Sequence, residues 1–242
     1  MVTELCKSFE DPDVSQPTLP TNWIKTPDPV GPLPLIFGVD GSVQIIESQT
    51  KPHKALGFVK TAMITLDGPA LATLDKQEPH PFAVRDILEK SQLYHATVFP
   101  LRNVRIAGKT TYDAIRRIIF DSLQDPTLEG QVFATLKWLA YEMWEGMPRD
   151  LPLFECPHCH KPEATLPYDS DKGKCPACGG EIFLSDMLGF HQAMAEDSAP
   201  DSVATDYMAV QETLLIFTGI RYFWENSKGT LATALFVKDG PL

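Results

Sequence analysis

The chain has 242 residues, 43% hydrophobic and 22% charged, with 21 Pro and 15 Gly, a balance that excludes a disordered polymer and a membrane bundle. Its length suits one globular domain with room for a small insertion. Its net charge of −11 argues against a protein that coats DNA through cation–phosphate contacts alone. It leaves room for an enzyme of nucleic acid, because metal sites concentrate carboxylates.

Residues 1–34 carry seven of the prolines and read as an extended tail suited to drape over a partner. The first residues lack a basic region followed by an apolar run, so no signal peptide is expected. No stretch approaches ~18 uninterrupted apolar residues, so no membrane span is expected. The apolar run Leu35–Val39 predicts a buried strand stopped by a turn at Asp40-Gly41. Val43–Glu47 and Leu56–Leu66 predict the next strands of a meander. Residues 67–92 read as turn-rich, with Asp67 in a hairpin turn.

A helical pair follows. Tyr112, Ile115, Ile118, Ile119 and Leu123 recur at helical spacing, as do Val132, Leu136, Leu139, Ala140 and Met143, with DPTLEG between them. Residues 102–117 are locally basic, with Arg102, Arg105, Lys109, Arg116 and Arg117 against Asp113. Residues 181–206 hold six acids and no Lys or Arg. A third, central helix is expected over Asp206–Asn226, apolar on most sides. A second apolar strand is expected over Leu231–Val237, ending in Asp239-Gly240-Pro241-Leu242.

Four of the five cysteines form two CxxC pairs, Cys156/Cys159 and Cys175/Cys178, separated by 15 residues; Cys6 stands apart. This is the spacing of a zinc ribbon, two knuckles completing one tetrahedral S₄ site. A closed shell of four thiolates has no open position, so the expected Zn²⁺ is structural, and His158 and His160 are not needed as ligands. Gly179-Gly180 supplies the positive-φ turn a knuckle needs. The ribbon is expected to be a staple for an insertion without a core of its own. Paired thiols for metal rather than a disulfide framework point to the cytoplasm.

Asp40 and Asp239 each end an apolar strand before a glycine. Glu212 has Met208, Leu215 and Ile216 as helical neighbours, so it points into an apolar face. A buried carboxylate needs a pair or a cation. An ion pair with Arg221 or Arg116 is one solution; an oxygen site for Mg²⁺ or Mn²⁺ with the two aspartates is the other. Glu47 is a further possible ligand, and Ser42 reads as a turn or cap hydroxyl. Trp138 and Trp144 read as core or interface residues, and His191 and Tyr222 as structural.

DGS at 40–42, YMAVQETLLIF around Glu212, LFVKDGPL at 235–242, TLKWLAYEMW at 135–144 and GGEIFLSDMLGFHQ at 179–192 together resemble the NurA nuclease family, whose bacterial members can carry a zinc ribbon at this place. The resemblance runs from about Leu33 to Leu242. It implies a mixed α/β fold with an RNase H-like core: a first part at 35–150, the ribbon at 151–190, and the central helix and DGPL strand at 191–242. It also implies Mn²⁺ or Mg²⁺ dependence, 5′-end exonuclease and single-strand endonuclease activity on DNA in end processing, a HerA-type hexameric ATPase as partner, and a homodimer. Asp40, Glu212 and Asp239 correspond to the family's metal-binding acids. Arg102, Arg105, Arg116 and Arg117 are candidate phosphate contacts. Family members continue past DGPL, so the chain reads as the front part of a longer enzyme. The competing reading is a catalytically incomplete zinc-ribbon adaptor.

Overall fold

A computed structural model describes residues 33–89, 92–106, 108–195 and 199–239. The Pro-rich tail up to residue 32 and Gly240-Pro241-Leu242 lie outside the described residues. The described residues belong to one compact unit. Among the described residues no helix is long and apolar enough to cross a membrane.

The architecture is mixed α/β. Strand β1 spans Leu35–Glu47, β2 Ala55–Asp67, β3 Gln92–Arg102 and β6 Ala234–Lys238; these form one sheet in the order β3-β2-β1-β6. β1 pairs antiparallel with β2 and parallel with β6, and β2 pairs antiparallel with β3. Helices α1 (Gly68–Ala72) and α2 (Pro81–Glu89) connect β2 to β3. Helices α3 (Thr111–Leu123) and α4 (Gln131–Ala140) follow, then a two-stranded β4–β5 ribbon at Lys172–Lys174 and Glu181–Phe183. The long helix α5 (Ser202–Asn226) crosses β1 and β2, and the single turn α6 (Lys228–Leu231) leads into β6.

Several expectations are corrected. Asp40-Gly41 is not a turn: the ladder with β2 runs through Asp40↔Ala62 and Gly41↔Thr61, so the two expected strands are one. Ser42 is therefore a mid-strand residue, neither turn nor cap. Asp67 is the N-cap of α1, its Oδ1 accepting from Ala70 N at 3.0 Å. β3 was not anticipated; its alternation of buried and exposed residues was hidden behind polar neighbours. The central helix begins four residues earlier than expected, and α6 replaces the start of the last strand.

Period-two alternation divides the sheet into two faces. Phe37, Val39, Val59, Thr61, His95, Thr97 and Phe99 point toward the helices and are buried. The opposite face is open: Phe58, Tyr94, Val98, Leu235 and Val237 are all exposed. Nothing lies within 4 Å of the direction a side chain at Gly38 would take.

The cysteine segment has no separate core, and also needs none. Phe154, Ala164, Leu166, Ile182, Phe183 and Leu184 belong to the same apolar cluster as Ile115, Leu123, Val132 and Leu215. Phe183 stacks on Phe120 of α3 at 4.7 Å. Tyr141 donates to Leu166 O at 2.8 Å, and Tyr112 to Pro157 O at 2.7 Å.

Candidate functional site

The four cysteines meet as their spacing predicts. Their sulfurs all lie within 4.8 Å of one another, with Cys156–Cys178 at 3.8 Å and Cys159–Cys175 at 3.9 Å. A tetrahedron of Zn–S bonds of ~2.3 Å has S–S edges of about 3.8 Å, so the quartet is compatible with a structural zinc site. The two knuckles share one backbone plan. His160 N donates to Cys156 O at 2.9 Å, and Gly179 N donates to Cys175 O at 2.8 Å. The equivalent residues His160 and Gly179 both take positive φ, 56° and 73°. Glycine does so without a Cβ penalty; His160 carries that strain. His158 is not aimed at the sulfurs. Its Nε2 stands 2.8 Å from Glu181 O. Among the described residues this quartet is the one group of three or more His, Cys, Asp or Glu side chains whose ligand atoms lie close enough together to hold an ion.

The three carboxylates are placed differently. Glu212 is buried beneath the sheet, and a Cβ at position 41 would lie 2.6 Å from its Oε1 and from Met208 Cγ. Gly41 is thus required by the close approach of α5, not by a turn. Glu212 Oε2 pairs with Lys238 Nζ at 3.3 Å, both side chains almost fully enclosed. The expected ion pair with Arg221 or Arg116 is replaced by one with a strand residue the sequence did not flag. Burial raises the Glu212 pKa above the ordinary carboxylate value; Lys238 opposes this, while the charges of Asp40 and Asp239 add to it.

Asp40 and Asp239 are exposed. The last paired position of β1 and β6 is Val39↔Lys238; Asp40 follows it within β1, and Asp239 follows it just after β6 ends. Alternation turns Asp40 away from Gly41 and Glu212, onto the open face. The charges of both aspartates bear on Glu212, but the two face solvent while Glu212 lies under the sheet.

The arginines divide. Arg116, expected as a phosphate contact, is buried: its guanidinium clasps Asp186 at 2.8 and 2.9 Å and also reaches Asp113 and Glu181 O. Four of its five N–H donors are engaged in this way and the group is buried, so it is not placed to meet a phosphate. Arg117 bonds Asp121 at 2.9 Å, and Arg102 pairs with Glu47 and Asp201. Glu47 is thus engaged by an arginine. Arg105 is exposed. Trp138 is buried edge-on against Trp144 at 5.5 Å, in keeping with a core role. Tyr222 is exposed, and His191 is buried with neither ring nitrogen hydrogen-bonded, its nearest acid Glu155 at 3.9 Å.

Sequence reasoning missed a polar cluster behind β3. His95 Nε2 lies 2.7 Å from Thr97 Oγ1, and Nδ1 lies 3.3 Å from Asp125 Oδ2. Burial pulls the His95 pKa down despite Asp125. The Tyr207 hydroxyl meets Ser122 at 2.5 Å, and enclosure pushes it up to about 12. Recognising β3 as a strand would have exposed this cluster. Comparisons with protein-family models, characterised proteins and solved structures find no match for the chain.

Proposed function

We propose that the chain is a NurA-like, metal-dependent deoxyribonuclease acting at DNA ends, as the sequence resemblance implies. The observation that carries this reading is that exposed Asp40 and Asp239 each follow the last paired position of β1 and β6, Val39↔Lys238, and that the charges of both bear on buried Glu212. Parallel strands lie about 4.8 Å apart, a spacing at which two carboxylates can share one hard cation. Bound there, Mg²⁺ or Mn²⁺ would supply an activated water and charge for the leaving oxygen. Asp40 and Asp239 are the oxygen donors. Glu212 sets the field under them and is itself a ligand only if its pairing with Lys238 opens. Three antiparallel strands followed by a helical crossover to a strand parallel to β1 supports the RNase H-like reading of the core. Zn²⁺ in the ribbon, a HerA-type translocase, homodimerisation and a cytoplasmic location belong to the same proposal.

The test is digestion of linear and single-stranded DNA by the purified chain with Mn²⁺. Asp40→Asn and Asp239→Asn should each reduce cutting at least a hundredfold, with unchanged unfolding midpoints. Activity unaffected by either substitution, or no Mn²⁺-dependent cutting at all, would overturn the reading. The second outcome would favour the adaptor alternative, for which the four-cysteine quartet is the specific support.

A further inference from the structure

The inward face of the sheet is not covered evenly. Near the start of β1, register sets Phe37 beside Thr65 and Met63 beside Leu93, and these four floor a hollow of about 480 Å³. One wall is the second half of α5, with Thr218, Tyr222 and Phe223. The other is the turn leading into α4, with Leu128, Glu129 and Gln131. Three rings meet here at angles and do not stack. Tyr222 stands edge-on to Phe223 at 5.1 Å and 87°, and Phe223 is tilted by 58° against Phe37 at 5.7 Å. Tyr222 remains 60% exposed despite this contact. Glu129 is the one charged side chain that lines the hollow among the described residues. Behind it Asp125 Oδ1 accepts from Thr127 N and Thr127 Oγ1, both at 2.8 Å, which places a second carboxylate on the same side. Arg221 donates to Gln131 Oε1 at the rim and does not line the hollow.

We propose that this hollow binds a small organic cation, its ammonium seated between Glu129 and the rings of Tyr222 and Phe223, its apolar body laid over Phe37, Met63 and Leu93. The faces of aromatic rings carry negative charge density and attract a cation within ~6 Å. The rim carboxylate adds to that attraction, and a net charge of −11 draws cations and repels anions at longer range. An anion would meet ring faces and two carboxylates, and a neutral molecule would gain nothing from Glu129. Pockets of about 300–1,000 Å³ take ligands of drug size, so the occupant needs a body as well as a charge. Apolar volume alone does not carry the inference. A second hollow between α4 and α5, about 570 Å³, has one ring, Phe217, and no charged side chain, and its lining names no occupant. The hollow beside Phe37 lies on the helix side of the sheet, whereas alternation turns Asp40 to the open side. The site is therefore separate from the proposed nuclease centre and does not depend on it.

The experiment is methyl NMR of the full chain, following the methyl groups of Met63, Leu93 and Leu128 during titration with phenylbutylammonium, phenylbutanol and phenylbutyrate. The three molecules share one body and differ in charge. All three residues should shift with phenylbutylammonium, which should bind about tenfold more tightly than phenylbutyrate, with phenylbutanol between them. Tyr222→Ala should weaken the cation about fivefold, and Tyr222→Phe, which keeps the ring, should not. Glu129→Gln should shrink the preference for the cation over the alcohol while the alcohol binds as before. Both side chains are exposed, so neither substitution should move the unfolding midpoint. Equal binding of the three molecules, tighter binding of phenylbutyrate, no shift at any of the three residues, or shifts confined to Met187 and Leu188 in the second hollow overturns the proposal. So does binding of phenylbutylammonium unchanged in the Tyr222→Ala/Glu129→Gln double variant. Sedimentation showing a parent dimer that Tyr222→Ala converts to monomer also overturns it, because the hollow would then be a contact between copies.

Discussion

Glu212 and Lys238 form the most consequential pair at the residue scale. Both side chains are nearly inaccessible, 3.3 Å apart, and Gly41 is empty so that the carboxylate can approach β1. Breaking a buried pair leaves an uncompensated charge, whereas replacing both partners removes the desolvation cost as well. Lys238→Met should therefore lower stability by roughly 3–5 kcal/mol, and the double variant Lys238→Met/Glu212→Gln should recover most of the loss. Urea unfolding of the two single variants and the double variant measures the coupling. Additive losses would mean that the pair contributes no coupling of its own. The sequence pointed to Glu212 because a carboxylate among Met208, Leu215 and Ile216 must be compensated. It did not point to Lys238, because a lysine near a strand end looks solvated until the register with β1 is known.

Among the elements, those with a strong period were legible and those defined by partners were not. α3, α4 and α5 were read from apolar spacing that their packing then uses. β1 was broken in two because Asp-Gly is chemically a turn signal, and only a ladder on both sides carries the strand through it. β3 escaped because its inward residues include His95 and Thr97, which do not read as apolar although the fold buries them. That burial has a pH consequence shared by β3 and the turn before α5. His95 and His191 both have pKa values lowered from 6.5 by burial, against the pull of Asp125 on one and of Asp186 and Glu155 on the other. The native state therefore binds fewer protons than the unfolded state below about pH 6.5. Stability due to these groups is complete above that pH and is lost as pH falls through their folded values. Unfolding midpoints should be level above pH 7 and decline toward pH 5. His191→Phe, facing Phe190 and Ile119, should make that decline shallower. An identical slope in the variant would show that His191 is not among the responsible groups.

For the whole molecule, the cysteine segment behaves as part of the core and not as an appended module. Its apolar residues join the cluster that also contains α3, α4 and α5, and Arg116 of α3 clamps Asp186 just beyond β5. The quartet itself was legible from spacing alone, since two CxxC pairs allow few geometries. Its integration was not, because sequence does not show that Phe183 would stack on Phe120. Four thiols at 3.8 to 3.9 Å contacts cannot all ionise without a compensating cation, so an ion bound by the quartet would be coupled to the fold of this segment. Removing the ion should then expose Phe183, Ile182 and Leu184 together with the surface of α3 beneath them. The expectation is a single cooperative unfolding transition that moves down by 10 °C or more on chelation or in Cys175→Ser, with an order-of-magnitude cost of several kcal/mol. Calorimetry of the metal-loaded and chelated chain, with zinc content near one ion per chain in the loaded sample, provides the check. A small separate transition that leaves the main one in place would show an independent module, and an unchanged midpoint would show that the quartet does not stabilise the core through a metal.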